Sequence, residues 1–161
     1  LIPNLYSQIS MKYYIFAGLV FQPLNDHFFH GQIDKNEIHL VKFLSEFKQN
    51  QDDEIVILSN ILHTKHTSGY HSQNDQLLKI NDHDIHNLND VYDACESIKT
   101  DFVKFEFEYN KIIVLPYKLC WKESDNISKI HLGVDHTNIE RNEKEIKKEI
   151  STDHLEKKSN N

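Results

Sequence analysis

The clearest hydrophobic pattern in the chain lies at residues 102–109. Val103, Phe105, Phe107 and Tyr109 alternate with Phe102, Lys104, Glu106 and Glu108. This is the two-residue period of a half-buried strand, and only Phe102 breaks it. Asn110-Lys111 then turns the chain into Ile112-Ile113-Val114-Leu115, which closes a hairpin. Residues 55–62 form a short, nearly continuous apolar run rich in β-branched side chains, which predicts a buried strand rather than a helix. A strand around a glycine turn is predicted over 14–24, stopped by Pro23, and a short strand over 77–80. Helical spacing appears at Leu40, Val41, Leu44 and Phe47 and again over 88–98. Five to six strands capped by two helices predict an α+β fold, a small antiparallel β-barrel or sandwich.

The second predicted helix carries two apolar stripes. Val91, Ala94 and Ile98 can serve the core, while Leu88, Tyr92 and Cys95 form a neighbouring stripe at i, i+4 and i+7. One wide core-facing stripe is the plainer reading of the same residues. Residues 1–12 read as a linker, and residues 25–32 as an insertion carrying Phe28-Phe29. Beyond Tyr117 the composition becomes charged, so 13–117 is taken as the domain and 118–161 as a partly helical or disordered extension. Within that extension, Thr137 and Glu140 have the spacing of a capping box, and 151–161 is expected to be disordered.

Composition narrows the function classes. The 161 residues suit one domain with flanks, and 39% hydrophobic residues is ordinary globular usage. A net charge of −7 and the lack of a basic stripe argue against a nucleic-acid surface. No apolar run reaches the roughly 18–20 residues of a membrane span. Leu1-Ile2-Pro3-Asn4 lacks the pattern of a signal peptide, and with no initiator Met the chain reads as a piece of a longer protein. Two cysteines make no disulfide framework and suit a reducing, intracellular setting.

Candidate catalytic chemistry is sparse. The histidines at 63, 66, 71, 83 and 86 have spacings that zinc sites use, but they fall in polar loops without a His-Glu-x-x-His pattern or a nearby cysteine. Neither a metal nor another cofactor is expected. Ser68-Gly69 matches no nucleophile motif, and no phosphate-cradling glycine loop occurs. The chain is therefore expected to carry no enzymatic machinery of its own.

Gly18, within Phe16-Ala17-Gly18-Leu19-Val20-Phe21, is the pivot of the sequence. A glycine turn before a hydrophobic strand leaves backbone N–H groups able to converge on a carboxylate, and the strand can pair with an incoming peptide. An ordinary strand-entry glycine is the alternative. Phe16-Ala17-Gly18-Leu19 resembles the aromatic-x-Gly-apolar carboxylate-binding loop of PDZ domains in HtrA/Deg-type serine proteases. The stretch 13–24 is similar to the opening of their second, C-terminal PDZ domain. Asp53 to Ser59 and Phe102 to Glu108 resemble further family strands. Asn81-Asp82-His83-Asp84-Ile85 stands where the family has Asn-Gly-x-x-Ile, with Asp82 in place of a turn glycine, and Asn74-Asp75 replaces a Gly-Asp pair.

The resemblance implies a non-catalytic PDZ-like domain of a DegP-like parent protease. It would bind extended or C-terminal segments of peptides or unfolded proteins by β-augmentation and so regulate the protease. Phe16, Ala17, Gly18 and Leu19 would hold the carboxylate. Leu19, Val20 and Phe21 would supply the pairing edge, and Leu88, Tyr92 and Cys95 would wall the pocket. HtrA/Deg proteases are oligomers, so other domains and subunits of the parent are the further partners implied. The bulk of Tyr92, the Phe28-Phe29 insertion and the C-terminal segment point to an alternative, a structural domain with an occluded groove that mediates oligomer assembly.

Overall fold

A computed structural model describes residues 12–24, 53–71 and 74–139. The predicted helix at 40–47, the Phe28-Phe29 insertion and residues 140–161 lie outside the described residues. Among the described residues there are seven strands: β1 (Tyr14–Phe16), β2 (Leu19–Pro23), β3 (Val56–Ile61), β4 (Asp75–Ile80), β5 (His83–Asp84), β6 (Phe102–Phe107) and β7 (Ile112–Pro116). Two α-helices accompany them among the described residues, α1 (Leu88–Glu96) and α2 (Tyr117–Leu132). The strands pair antiparallel in the order β1-β2-β3-β4-β6-β7, and β5 pairs with β4. The α+β expectation holds, with the difference that the sheet is not closed into a barrel.

Turn chemistry sets the register. Ala17 and Gly18 have φ of 52° and 100°, and this two-residue turn pairs Phe16 with Leu19 and Tyr14 with Phe21. Positive φ at both central positions matches the twist of the flanking strands. The turn at Asn81-Asp82 is left-handed as well, with φ of 45° and 68°. Asp82 stands there without a glycine because Asn81 anchors the turn, its side-chain oxygen accepting from the Lys104 N–H at 2.7 Å.

The core lies where the pattern places it. Val103, Phe105 and Phe107 are buried, and Phe102 points outward, 60% exposed. Tyr109 was expected inside but is 74% exposed. The strand stops at Phe107, and the 3₁₀ turn Glu108–Asn110, with Tyr109 at φ 58°, reverses the inward and outward sides. Glu108 is the buried residue there.

Helix α1 starts on Asn87, whose side chain accepts from the Asp90 N–H at 2.9 Å. Its Leu88, Val91 and Cys95 are buried in the main core, with Tyr92, Ala94 and Ile98 packed against its margin. The two stripes thus form one broad face. Helix α2 begins at Tyr117 and packs against β1, β6 and β7. It ends on Gly133 in the left-handed conformation, with the Gly133 N–H bonded to Lys129 O.

Candidate peptide-binding site

Strand β2 is where an incoming chain was expected to pair. One edge of β2 pairs with β3 and the other with β1. Leu19, Val20 and Phe21 are all buried. The pairing edge is therefore already occupied by the chain's own first strand.

The groove side chains fit the same picture. Tyr14 of β1 meets Tyr92 of α1 edge to face, with ring centroids 5.6 Å apart. Phe16 stacks on Tyr117 at 5.9 Å and lies 5.8 Å from Phe105. Both rings are fully buried. Burial pushes the Tyr14 hydroxyl well above the ordinary tyrosine range, with the neighbouring Cys95 and Glu96 adding to it. Burial likewise raises the Cys95 thiol far out of the range of a neutral-pH thiolate, and raises Cys120 to about 11. Both cysteines are free and inert as nucleophiles in this setting.

The Ala17-Gly18 turn is tied down from three directions. The Ala17 N–H donates to Ser124 Oγ on α2 at 2.8 Å, in a buried position. The Ala17 carbonyl accepts from Thr64 Oγ1 at 3.3 Å, and the Gly18 carbonyl accepts from the Leu62 N–H at 2.8 Å. Leu19 is engaged with Phe16 across the hairpin. Where the sequence suggested N–H groups converging on a carboxylate, a serine hydroxyl takes the Ala17 donor. Ser124 carried no signal of its own in the sequence. In retrospect, Cys120, Ser124, Ile127 and Ser128 mark a small-residue face at i, i+4, i+7 and i+8, and all four are buried.

The outer edge of β1 is covered too. The Ile15 N–H donates to the His136 carbonyl at 2.6 Å, and Tyr14 forms an antiparallel bridge with Thr137. Thr137 Oγ1 donates to the Tyr13 carbonyl at 3.1 Å, and the Tyr13 N–H donates to Asn138 Oδ1 at 2.8 Å. Thr137, expected to open a helix, accepts from the Ile139 N–H at 3.1 Å while serving this contact. Glu140 lies outside the described residues.

The histidines do not gather. Among the described residues no three His, Cys, Asp or Glu side chains are placed to hold a metal ion. His66 instead lies 2.9 Å from Glu123 on α2, which Lys65 also reaches at 2.8 Å. Among the described residues no helix is long and apolar enough to cross a membrane.

The profile of the PDZ domain family matches residues 2–137. The chain belongs to the PDZ family. Its relatives place this PDZ domain with the HtrA/Deg type. It is 33% identical over 130 residues to the mitochondrial protease Do-like 3 protein of Arabidopsis thaliana, covering 80% of this chain and 22% of that protein. To the serine protease DegP homolog of Plasmodium falciparum it is 34% identical over 88 residues, 55% of this chain and 10% of that protein. To the chloroplastic protease Do-like 2 of Arabidopsis thaliana it is 33% identical over 109 residues, 65% and 18% respectively. The PDZ domain thus spans less than a quarter of each relative's length.

Proposed function

We propose that this PDZ domain is a non-catalytic part of an HtrA/Deg-type serine protease and helps assemble the protease oligomer, its peptide groove being filled by its own first strand. The observation that carries this reading is the pairing of β2 along both edges, with Tyr14 and Phe16 buried beneath the helices. Vacating the groove would expose both rings. At about 2–3 kcal/mol each, that weakens capture of a peptide by roughly three to four powers of ten. A peptide of micromolar intrinsic affinity would bind only in the millimolar range or weaker.

A second reading keeps the domain as a regulator that captures extended or C-terminal peptide segments through Phe16 to Phe21. Its support is the left-handed Ala17-Gly18 turn, a backbone shape suited to anions, together with PDZ membership itself. It requires β1 to leave the groove. Panning a random C-terminal peptide library while following molecular mass by light scattering separates the two. The assembly reading expects no captured peptide and a mass that rises with concentration. A strictly monomeric wild type that binds no peptide would sink both.

A further inference from the structure

We propose that the outer edge of β1 is an exchange site that takes residues 134–139 of a second copy of this chain in place of its own. The inference rests on the assembly reading and names a surface for it. Segment 134–139 is a resident ligand of β1 in all but covalent connection. It lies along the edge with a single antiparallel bridge, Tyr14 to Thr137, beside the Ile15 N–H to His136 O bond at 2.6 Å. Asparagine and threonine side chains bond the Tyr13 backbone on either side.

Side chains read its sequence. The His136 ring sits edge-on to both Tyr14 and Trp121, at 6.0 and 6.4 Å, and its Nδ1 lies 3.4 Å from Asp125 Oδ1. Val134 and Ile139 anchor the two ends, Val134 on the cluster holding Ile15 and Ile127 and Ile139 on the main core. The segment meets α2 at Gly133, which has φ 69° and open space around it. An added Cβ there would meet no atom within 4 Å, so the joint is not walled in. Exchange of an identical element between protomers re-forms every one of these contacts and is a low-cost route to association.

The choice of occupant follows from concentration. A segment tethered by a short linker is present at roughly millimolar effective concentration. A free cellular peptide at micromolar level competes about a thousandfold less well. The same segment on a neighbouring subunit, held close in an oligomer, is also present at roughly millimolar effective concentration and carries the sequence this edge already accommodates.

Complementation between two full-length variants tests the exchange. In one, His136, Thr137 and Asn138 are all replaced by glycine, leaving an edge without a competent segment. In the other, Ile15→Pro removes the N–H that bonds His136 O, leaving a segment without a competent edge. Each alone should stay monomeric at concentrations up to about 1 mM. An equimolar mixture should double in mass by light scattering and slow amide exchange at Ile15 of the glycine variant at least tenfold. A mixture that stays monomeric, with both variants retaining wild-type circular dichroism, overturns the exchange. Should Ile15→Pro fail to fold, the synthetic hexapeptide Val-Asp-His-Thr-Asn-Ile is titrated against the glycine variant instead. Protection of the Ile15 amide supports the proposal, and unchanged exchange at a saturating few millimolar peptide overturns it. If complementation fails while the wild type still self-associates, the assembly reading stands and another surface carries it.

Discussion

Tyr14 and Tyr92 meet edge to face, ring planes at 77°, so strand β1 packs directly against helix α1. Such a pair contributes about 0.5–1.5 kcal/mol beyond its buried area. The Tyr14 hydroxyl is buried with no hydrogen-bond partner in place among the described residues, close to the weakly bonding Cys95 thiol and to Glu96. Tyr14→Phe keeps the ring pair and removes a stranded polar group, so stability should rise by about 1 kcal/mol. Tyr14→Ala should lose about 3–5 kcal/mol. Urea midpoints decide both, and a Phe variant weakened by 2 kcal/mol would show that the hydroxyl is bonded after all.

Gly18 and Gly69 give a controlled comparison of strain and contact. Both have positive φ, 100° and 89°. A Cβ on Gly18 would lie 3.0 Å from the Leu62 carbonyl oxygen and 3.1 Å from Thr64 Cγ2, whereas nothing lies within 4 Å at Gly69. Gly69→Ala should therefore cost the conformational term alone, about 1 kcal/mol. Gly18→Ala should cost about 2–3 kcal/mol, because backbone must also shift. Equal losses in chemical denaturation would mean that the loop over Gly18 yields freely.

Strands were legible wherever one face is apolar and the other polar. The β6 alternation placed Val103, Phe105 and Phe107 inside and Phe102 outside but failed past Phe107, where Tyr109 turns out and Glu108 in, and the apolar run of β3 is buried over Val56, Ile57 and Leu58. Helix α2 was not legible as part of the core. It packs through Cys120, Ser124, Ile127 and Ser128, of which two are serines and one a cysteine, so no strong hydrophobic stripe announced it. Its punctuation was present in Pro116 before it and Gly133 after it. The candidate loop was legible as a left-handed turn at Gly18. β1 reaches the edge of β2 through a local hairpin, whereas the cover of β1 by residues 136–138 depends on contacts more than a hundred residues apart, which local pattern does not encode.

Acid should loosen the attachment of α2. Hydrogen bonds from Lys65 and His66 hold the Glu123 carboxyl below its ordinary value of about 4.5. Those from Lys129 and His136 hold Asp125 below about 3.8. A depressed folded-state pKa stabilises the fold above the unfolded value, and the contribution is lost as pH falls through the folded one. Glu123→Gln should be less stable than wild type at neutral pH, by a small margin because the pairs are surface ones. The difference should vanish once the wild-type carboxyl is protonated. Denaturation midpoints between about pH 7 and pH 2 test this, and a difference that persists at the acid end would assign the effect to packing.

Ser124→Ala addresses the Ala17-Gly18 turn directly. Ser124 Oγ is the buried acceptor for the Ala17 N–H and itself donates to the Cys120 carbonyl at 2.7 Å. Removing it leaves the Ala17 donor stranded, which should cost about 1–3 kcal/mol and speed amide exchange at Ala17. The same change leaves the Ala17 N–H without its internal acceptor. With β1 still seated between β2 and the helices, the variant should bind neither a C-terminal peptide nor its amide at concentrations up to about 1 mM. Binding of the free acid that the peptide amide lacks would return Phe16 to Leu19 to carboxylate recognition and make Ser124 a built-in mimic of the ligand.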